Sequence, residues 1–218
     1  MTRSIRVDFI SDISCPWCII GLRGLEQAAE RLASEVTLDI RFRPFELNPD
    51  MPRGGENLND HVARKLGRSP QEAAQGRQAI VDRAAQAGFP MVFSDESRIY
   101  NTFDAHRLLH WAGVEGKQHA LKRALFAAHF TRGEAMDEPQ VLAAAAAQAG
   151  LDEEEARALL AGDRYAREVR EEEQLWRTRG IQSLPAIVLE EKYLISGGQP
   201  AELFEQALRQ VARETAAA

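Results

Sequence analysis

Residues 5–18 read Ile5-Arg6-Val7-Asp8-Phe9-Ile10-Ser11-Asp12-Ile13-Ser14-Cys15-Pro16-Trp17-Cys18. A run with strand-like alternation enters a short polar turn, and the turn opens on two cysteines separated by two residues, the only cysteines of the chain. Pro16 suits the first position of a helix, where its missing N–H is an orphan in any case. Ile19, Ile20, Leu22, Leu25, Ala28, Ala29 and Leu32 follow at helical spacing, so a helix is expected to about Ala33. That places Cys15 at the cap. Unpaired backbone N–H groups and the positive end of the helix dipole favour a thiolate there. The thiolate is the form that attacks a disulfide. Cys15 is therefore the expected nucleophile, and Cys18, one turn inside, can reach back to resolve a mixed disulfide. In this setting a C-x-x-C reads as a redox pair.

Working outward, residues 36–42 (VTLDIRF) alternate again as a second strand, so the opening of the chain reads β-α-β. Pro44 to Pro49 closes that unit, and a loop rich in Pro and Gly follows. From about residue 57 to 163 only helical patterns appear, near 57–66, 70–87, 101–112, 116–131, 138–148 and 152–160, with Gly, Pro or Asp signals between them. A further helix is expected from Tyr165 to Arg179, stopping at Gly180. Pro185-Ala186-Ile187-Val188-Leu189 and Lys192-Tyr193-Leu194-Ile195 read as two strands joined by a turn at Glu190-Glu191. Gly197-Gly198-Gln199-Pro200 then opens an amphipathic helix, and the Ala216–Ala218 tail is expected to fray. The pattern is that of an α/β thioredoxin fold with an all-helical domain inserted between its βαβ and ββα halves. The division expected is 1–56 and 164–218 for the discontinuous thioredoxin-like domain and 57–163 for the insertion.

The chain has 218 residues, 44% hydrophobic and 28% charged, which suits a globular protein with a sizeable core. A net charge of −6, with basic and acidic residues interleaved, argues against nucleic acid as a partner. No apolar stretch is long enough to span a bilayer, and the N-terminus leads straight into a strand rather than a secretory signal. The expectation is a cytoplasmic protein without a membrane partner. In that compartment a catalytic or sensing dithiol is more usual than a structural disulfide. A structural zinc site needs four ligands, there is no second C-x-x-C, and the five histidines all fall in the insertion. No metal is expected.

Pro185, preceded by Ser183-Leu184 and followed by an apolar run, is the second site. In a thioredoxin fold a cis-proline at the start of the third strand packs opposite the dithiol. The residue before it, here Leu184, offers its backbone to a bound peptide or glutathione as an added strand. The alternative is a trans proline that merely starts a strand. Trp17 suits exposure beside a substrate groove, whereas Phe45 suits core packing.

Four stretches carry a resemblance: Ser11 to Gly21, Arg43 to Pro49, Asn101 to Leu108, and Ser196 to Pro200. Together, and in this order, they resemble the DsbA-like thioredoxin superfamily and, within it, the FrnE-like cytoplasmic dithiol oxidoreductases. The resemblance covers almost the whole chain. It implies Cys15 as attacking thiol, Cys18 as resolving thiol and Pro185 as cis-proline; Pro16 and Trp17, between the thiols, tune the potential through the local amides and the stability of the Cys15 thiolate. Leu184 stands where the family usually has Val, which bears on the peptide groove more than on the chemistry. No second cysteine pair is available for a relay.

Ser14, Asn101 and His106 are candidates to line the cleft above Cys15. An imidazolium at His106 would favour the thiolate; the other reading is an N-cap at Asn101 and a satisfied interdomain histidine. The implied activity is oxidation, reduction or isomerisation of protein or small-molecule disulfides and dithiols. No permanent cofactor is expected, and glutathione is the candidate reductant or co-substrate. The competing activity is that of the kappa-class glutathione transferases and 2-hydroxychromene-2-carboxylate isomerases, which share the architecture but typically place Ser at the position of Cys15. A redox-switched binding protein is a third reading, and a homodimer through an exposed helix or strand is left open.

Overall fold

The computed structural model describes residues 2–214, so the Ala216–Ala218 tail lies outside the described residues. Strands β1 (Arg3–Ser11), β2 (Val36–Pro44), β5 (Ala186–Leu189) and β6 (Tyr193–Ser196) form one sheet in the order β2-β1-β5-β6. β1 runs parallel to β2, in register from Arg3 opposite Val36 to Ser11 opposite Pro44. It runs antiparallel to β5, which pairs antiparallel with β6. β1 is therefore central, and Val7 to Ser11 are buried on both faces, as a strand covered by helices on each side must be.

The period of two sorts these residues between two layers. Ile5, Val7 and Phe9 join the large core with α1 (Pro16–Arg31) and α9 (Ala201–Glu214). On the other face Ile10 packs with Phe45, Trp176, Ile181 and Ala186 under α8 (Ala166–Thr178). Asp8, on that same face, meets Arg43 at 2.6 Å, and Arg43 meets Glu172 of α8 at 2.6 Å. Arg177 lies over the Phe45 ring at 4.2 Å and donates to Glu46 O at 2.8 Å. The segment from Arg43 to Glu46 thus holds α8 against the sheet. Phe45 is core, as its place after a strand suggests.

Between the sheet halves run α2 (Leu58–Leu66), α3 (Pro70–Gln86), α4 (Phe103–Val114), α5 (Gln118–Phe126), α6 (Pro139–Gln148) and α7 (Glu153–Ala161), followed by α8. Two features depart from the purely helical pattern expected here. β3 (Glu56–Asn57) and β4 (Arg98–Ile99) pair as a two-residue ribbon, too short for a period of two to register. The helix expected over 116–131 starts at Gln118, and its last five residues, Ala127–Thr131, form a π turn. Such a turn shifts the face presented by the residues that follow. The insertion does not sit apart: one buried cluster runs from Val7 and Leu25 through Leu121 and Phe126 to Leu159. Glu26 of α1 is clamped to α5, with His119 at 2.6 Å and Arg123 at 3.9 Å.

Glu190 and Glu191 both take left-handed backbone, φ 50° and 55°, in the turn between β5 and β6. This is the conformation a tight hairpin turn demands, and contacts to Arg6 hold it. Glu190 N–H donates to Arg6 O at 3.0 Å, the Arg6 N–H donates to the Glu190 carboxylate at 2.7 Å, and Glu191 pairs with the Arg6 guanidinium at 2.6 Å.

Candidate active site

α1 begins at Pro16 with Cys15 as its N-cap residue. Cys15 N–H donates to Asp12 O at 3.3 Å, and Cys18 N–H donates to Cys15 O at 3.0 Å, so the turn and first helical step fix both cysteines. Both thiols are free. Cys15 is 5% exposed and Cys18 is fully buried. Burial pushes the Cys18 thiol well above its ordinary range, reinforced by the hydrogen bond and charge of Cys15; the Lys122 charge pulls the other way.

Opposite the dithiol the Leu184–Pro185 peptide is cis. Cys15 Sγ–H points to Leu184 O across 3.9 Å, a long thiol-to-carbonyl contact. Pro185 O accepts from Gly197 N–H at 2.8 Å, which ties the proline turn to the loop before α9. That loop lies directly on α1. A methyl group on Gly198 would stand 2.7 Å from Trp17 O, and one on Gly24 would stand 2.5 Å from Gln199 O. Backbone approaches this close are open only to glycine, and they bring the loop, the proline and the start of α1 together.

Beneath the thiols lies Asp12, fully buried. Its carboxylate accepts from Ser14 Oγ–H at 2.8 Å, Leu47 N–H at 2.8 Å and Thr102 Oγ1–H at 2.7 Å, and His106 Nε2 stands 3.5 Å away. Burial alone would raise its pKa; the His106 ring, the Leu47 amide and the Thr102 hydroxyl outweigh it and hold the carboxyl far below its usual range. Asp12 therefore joins the turn before α1, the loop after β2 and the start of α4. These are three of the four stretches that carry the family resemblance.

Beside Cys15 a cavity of about 380 Å³ opens between α1, α2, α3 and the π turn. Ser14, Pro16 and Trp17 line one wall, and Trp17 is 40% exposed. Val62, Ile80 and Phe130 supply apolar surface, while Lys65, Arg68 and Arg98 stand on the lining as cations. His129, brought to the wall by the π turn, has an Nδ1 with no hydrogen-bond partner among the described residues. Burial pushes its ring down to about 4, so it is neutral at physiological pH.

Asn101 and His106 are not among the residues that line this wall. Asn101 accepts from Phe103 N–H at 3.0 Å at the start of α4, and its amide donates to Pro49 O at 3.2 Å. His106 is buried against Asp12, where Thr102 and Leu47 already converge. Asn101 thus serves the helix start and the loop after β2, and His106 the buried carboxylate. Sequence reading missed Asp12, Lys122 and His129. Asp12 carries a local signal, since an Asp two residues before Ser14 favours an Asx turn, and Ser14 N–H does donate to it at 3.3 Å. Lys122 is discernible only as a charged residue on the apolar stripe of Leu121, Leu125 and Phe126. His129 gives no signal apart from the π turn.

A family model described as the DSBA-like thioredoxin domain matches residues 6–209. A probable DsbA oxidoreductase from Streptomyces coelicolor has a similar structure, with a TM-score of 0.87 at 34% identity over 94% of this chain and 89% of that one. A 2-hydroxychromene-2-carboxylate isomerase shares the fold, with a TM-score of 0.72 at 19% identity over 97% and 98% of the two chains. Among curated proteins, the uncharacterised YwbO of Bacillus subtilis is 23% identical over 94% of this chain and 96% of its own length. With a C-x-x-C at the cap of α1 and the family model spanning nearly its whole length, the chain belongs to the DSBA-like thioredoxin domain family, as an oxidoreductase.

Proposed function

We propose that this chain is a cytoplasmic thiol-disulfide oxidoreductase of the FrnE-like subgroup, working through the Cys15-Pro16-Trp17-Cys18 dithiol. The observation that carries the reading is the difference between its thiols. Cys15 sits at the helix cap, beside a cavity and under the Leu184 carbonyl. Cys18 is fully buried one turn below, out of reach of a bulky substrate. Cys15 thiolate attacks a substrate disulfide, forms the mixed disulfide and expels one substrate thiolate. Cys18 then attacks Cys15 Sγ, releases the second substrate thiolate and leaves the Cys15–Cys18 disulfide. Run backwards, the same steps oxidise a substrate dithiol, and the balance is set by potential against the surrounding thiol pool.

Pro16 and Trp17 shape the helix start, Pro185 faces the dithiol, and the Leu184 backbone receives the substrate as an added strand. Ser14 and Trp17 form the near wall of the cavity. The substrates are protein or small-molecule disulfides, with glutathione as reductant or co-substrate, and residues 57–163 act as the inserted domain that builds the far wall. Cations along an apolar cavity of about 380 Å³ suit a small anionic thiol such as glutathione. The same feature favours, as the second reading, a glutathione-dependent isomerase or transferase.

Single-cysteine variants separate the two. Incubated with oxidised glutathione, acid-quenched and weighed intact, Cys18→Ser should hold one glutathione in disulfide linkage and Cys15→Ser none. Equal labelling of both variants, or none of either, would sink the assignment of Cys15 as nucleophile.

A further inference from the structure

The cavity beside Cys15 carries charge of one sign. Lys65 of α2, Arg68, Arg77 of α3 and Arg98 of β4 line it, and no Asp or Glu is among its described lining residues. The chain as a whole has a net charge of −6. The partners of these cations are neutral or missing. Lys65 Nζ donates to Leu47 O at 3.2 Å and to Asn48 Oδ1 at 2.7 Å. Arg98 donates to Gly54 O at 2.8 Å and to Gly55 O at 2.9 Å. Arg77 Nη1 donates to the side-chain oxygen of Asn59. Arg68 makes no hydrogen bond or ion pair among the described residues.

The carboxylates around the cavity are engaged elsewhere. Glu72, within electrostatic reach of Arg68, accepts from Ser69 N–H at 2.8 Å and from Ser69 Oγ–H at 2.7 Å at the cap of α3. Glu56 holds Arg64 at 2.6 Å and His61 at 2.8 Å. A methyl group on Gly76 would stand 3.2 Å from Arg68 Nη1. The Arg68 guanidinium therefore lies on α3, over the residue before Arg77.

Cations of one sign on low-dielectric walls focus their field into a cleft and concentrate anions there. A planar guanidinium matches a carboxylate through two parallel N–H donors. A volume of about 380 Å³ is that of a small-molecule site. A substrate ammonium meets no carboxylate on this lining.

We propose that this cavity selects disulfides of low-molecular-weight thiols that carry carboxylates and no free ammonium, with Arg68 and Arg77 as the residues that read the carboxylates. The proposal rests on the reading of Cys15 as the attacking thiol. Cys15 Sγ bonds to the sulfur of the half held in the cavity, the substrate S–S bond breaks, and the other half leaves as a thiolate. Glutathione fits in part: its two carboxylates are matched and its ammonium is not. All four cations come from residues 57–163, so the insertion sets the choice of substrate while α1 supplies the chemistry.

The test uses the full chain as Cys18→Ser, which keeps the mixed disulfide on Cys15. Three disulfides share one skeleton: oxidised glutathione, its N-acetyl derivative without ammonium groups, and its ethyl ester without carboxylates. Mass gain is followed by acid quench and intact mass. Each rate is divided by that of free dithiothreitol with the same disulfide, which removes differences in intrinsic reactivity. The ester should react at least about tenfold more slowly than oxidised glutathione, the scale of one charge-assisted hydrogen bond. The N-acetyl derivative should be the fastest of the three. Added salt should narrow the spread, and Arg68→Gln combined with Arg77→Gln should collapse it. Should that variant not fold, Arg68→Gln, at an exposed position, decides alone. An ester as fast as oxidised glutathione would overturn the proposal. So would a spread that survives the replacements, or an N-acetyl derivative no faster than oxidised glutathione. Failure of all three disulfides to label Cys15 would instead overturn the reading of Cys15 as the attacking thiol.

Discussion

The two sides of the dithiol are built from opposite materials. On the cleft side Cys15 meets Trp17, the Leu184–Pro185 turn and an open apolar cavity with cations along its wall. On the inner side Cys18, Asp12 and Lys122 are all fully buried, and the Lys122 charge acts on Cys18 against the effect of burial. A thiolate that must be reached by substrate needs surface and shape. A thiol that must lose its proton in the dark of the core needs charge nearby, and the low dielectric there strengthens each such interaction. One side offers surface and shape, and the other holds the elements together.

The largest effect that separates the sides should come from Asp12. Asp12→Ala strips four donors of their shared acceptor and removes the carboxylate facing His106, leaving buried polar groups unpaired. The expected loss is about 3–5 kcal/mol of stability, read from urea unfolding by circular dichroism. Loss under about 1 kcal/mol would show that the turn, the loop after β2 and α4 are held by packing instead. The pH dependence sharpens the point. The folded carboxyl binds its proton more weakly than the unfolded one, whose ordinary value is 3.8. Its stabilising contribution is therefore full above that value and lost as pH falls through and below it. Asp12→Asn should flatten the acid limb of the stability curve, and an acid limb unchanged from wild type would contradict the linkage.

The cleft side should answer in the reverse sense. Trp17→Ala removes an exposed ring from the cavity wall, so stability should move by no more than about 0.5 kcal/mol. The KM for an apolar peptide disulfide should rise about tenfold, the loss of roughly 1.4 kcal/mol of contact, with kcat nearly unchanged. Steady-state thiol release reads both numbers. A large stability loss with unchanged KM would mean that Trp17 is a packing residue and not a wall of the cleft.

What could be read from the chain follows from how far each signal reaches. The strands and α1 declare themselves through periods repeated over many residues, and Pro16 and the Gly180 stop mark their own ends. The ribbon of β3 and β4 offers only two residues per strand, and the π turn breaks α5 without changing its composition. At the site, Cys15 and Cys18 are legible because their spacing is itself the chemistry. Asp12 and Lys122 are not, because what makes them unusual is burial by segments distant in the chain. Lys122 sits on a helix about a hundred residues downstream of the thiols. His106 illustrates the same limit: its place on α4 is readable, but the partner it faces is not.

The most direct measurement is intact mass of the wild type after equilibration in a series of glutathione redox buffers and acid quenching. The account predicts a reversible loss of two hydrogens as the Cys15–Cys18 disulfide forms, with a single midpoint that gives the potential of the pair. A chain that never forms the internal disulfide, yet retains glutathione noncovalently under native conditions, would contradict the dithiol mechanism and leave the glutathione-dependent enzyme in its place.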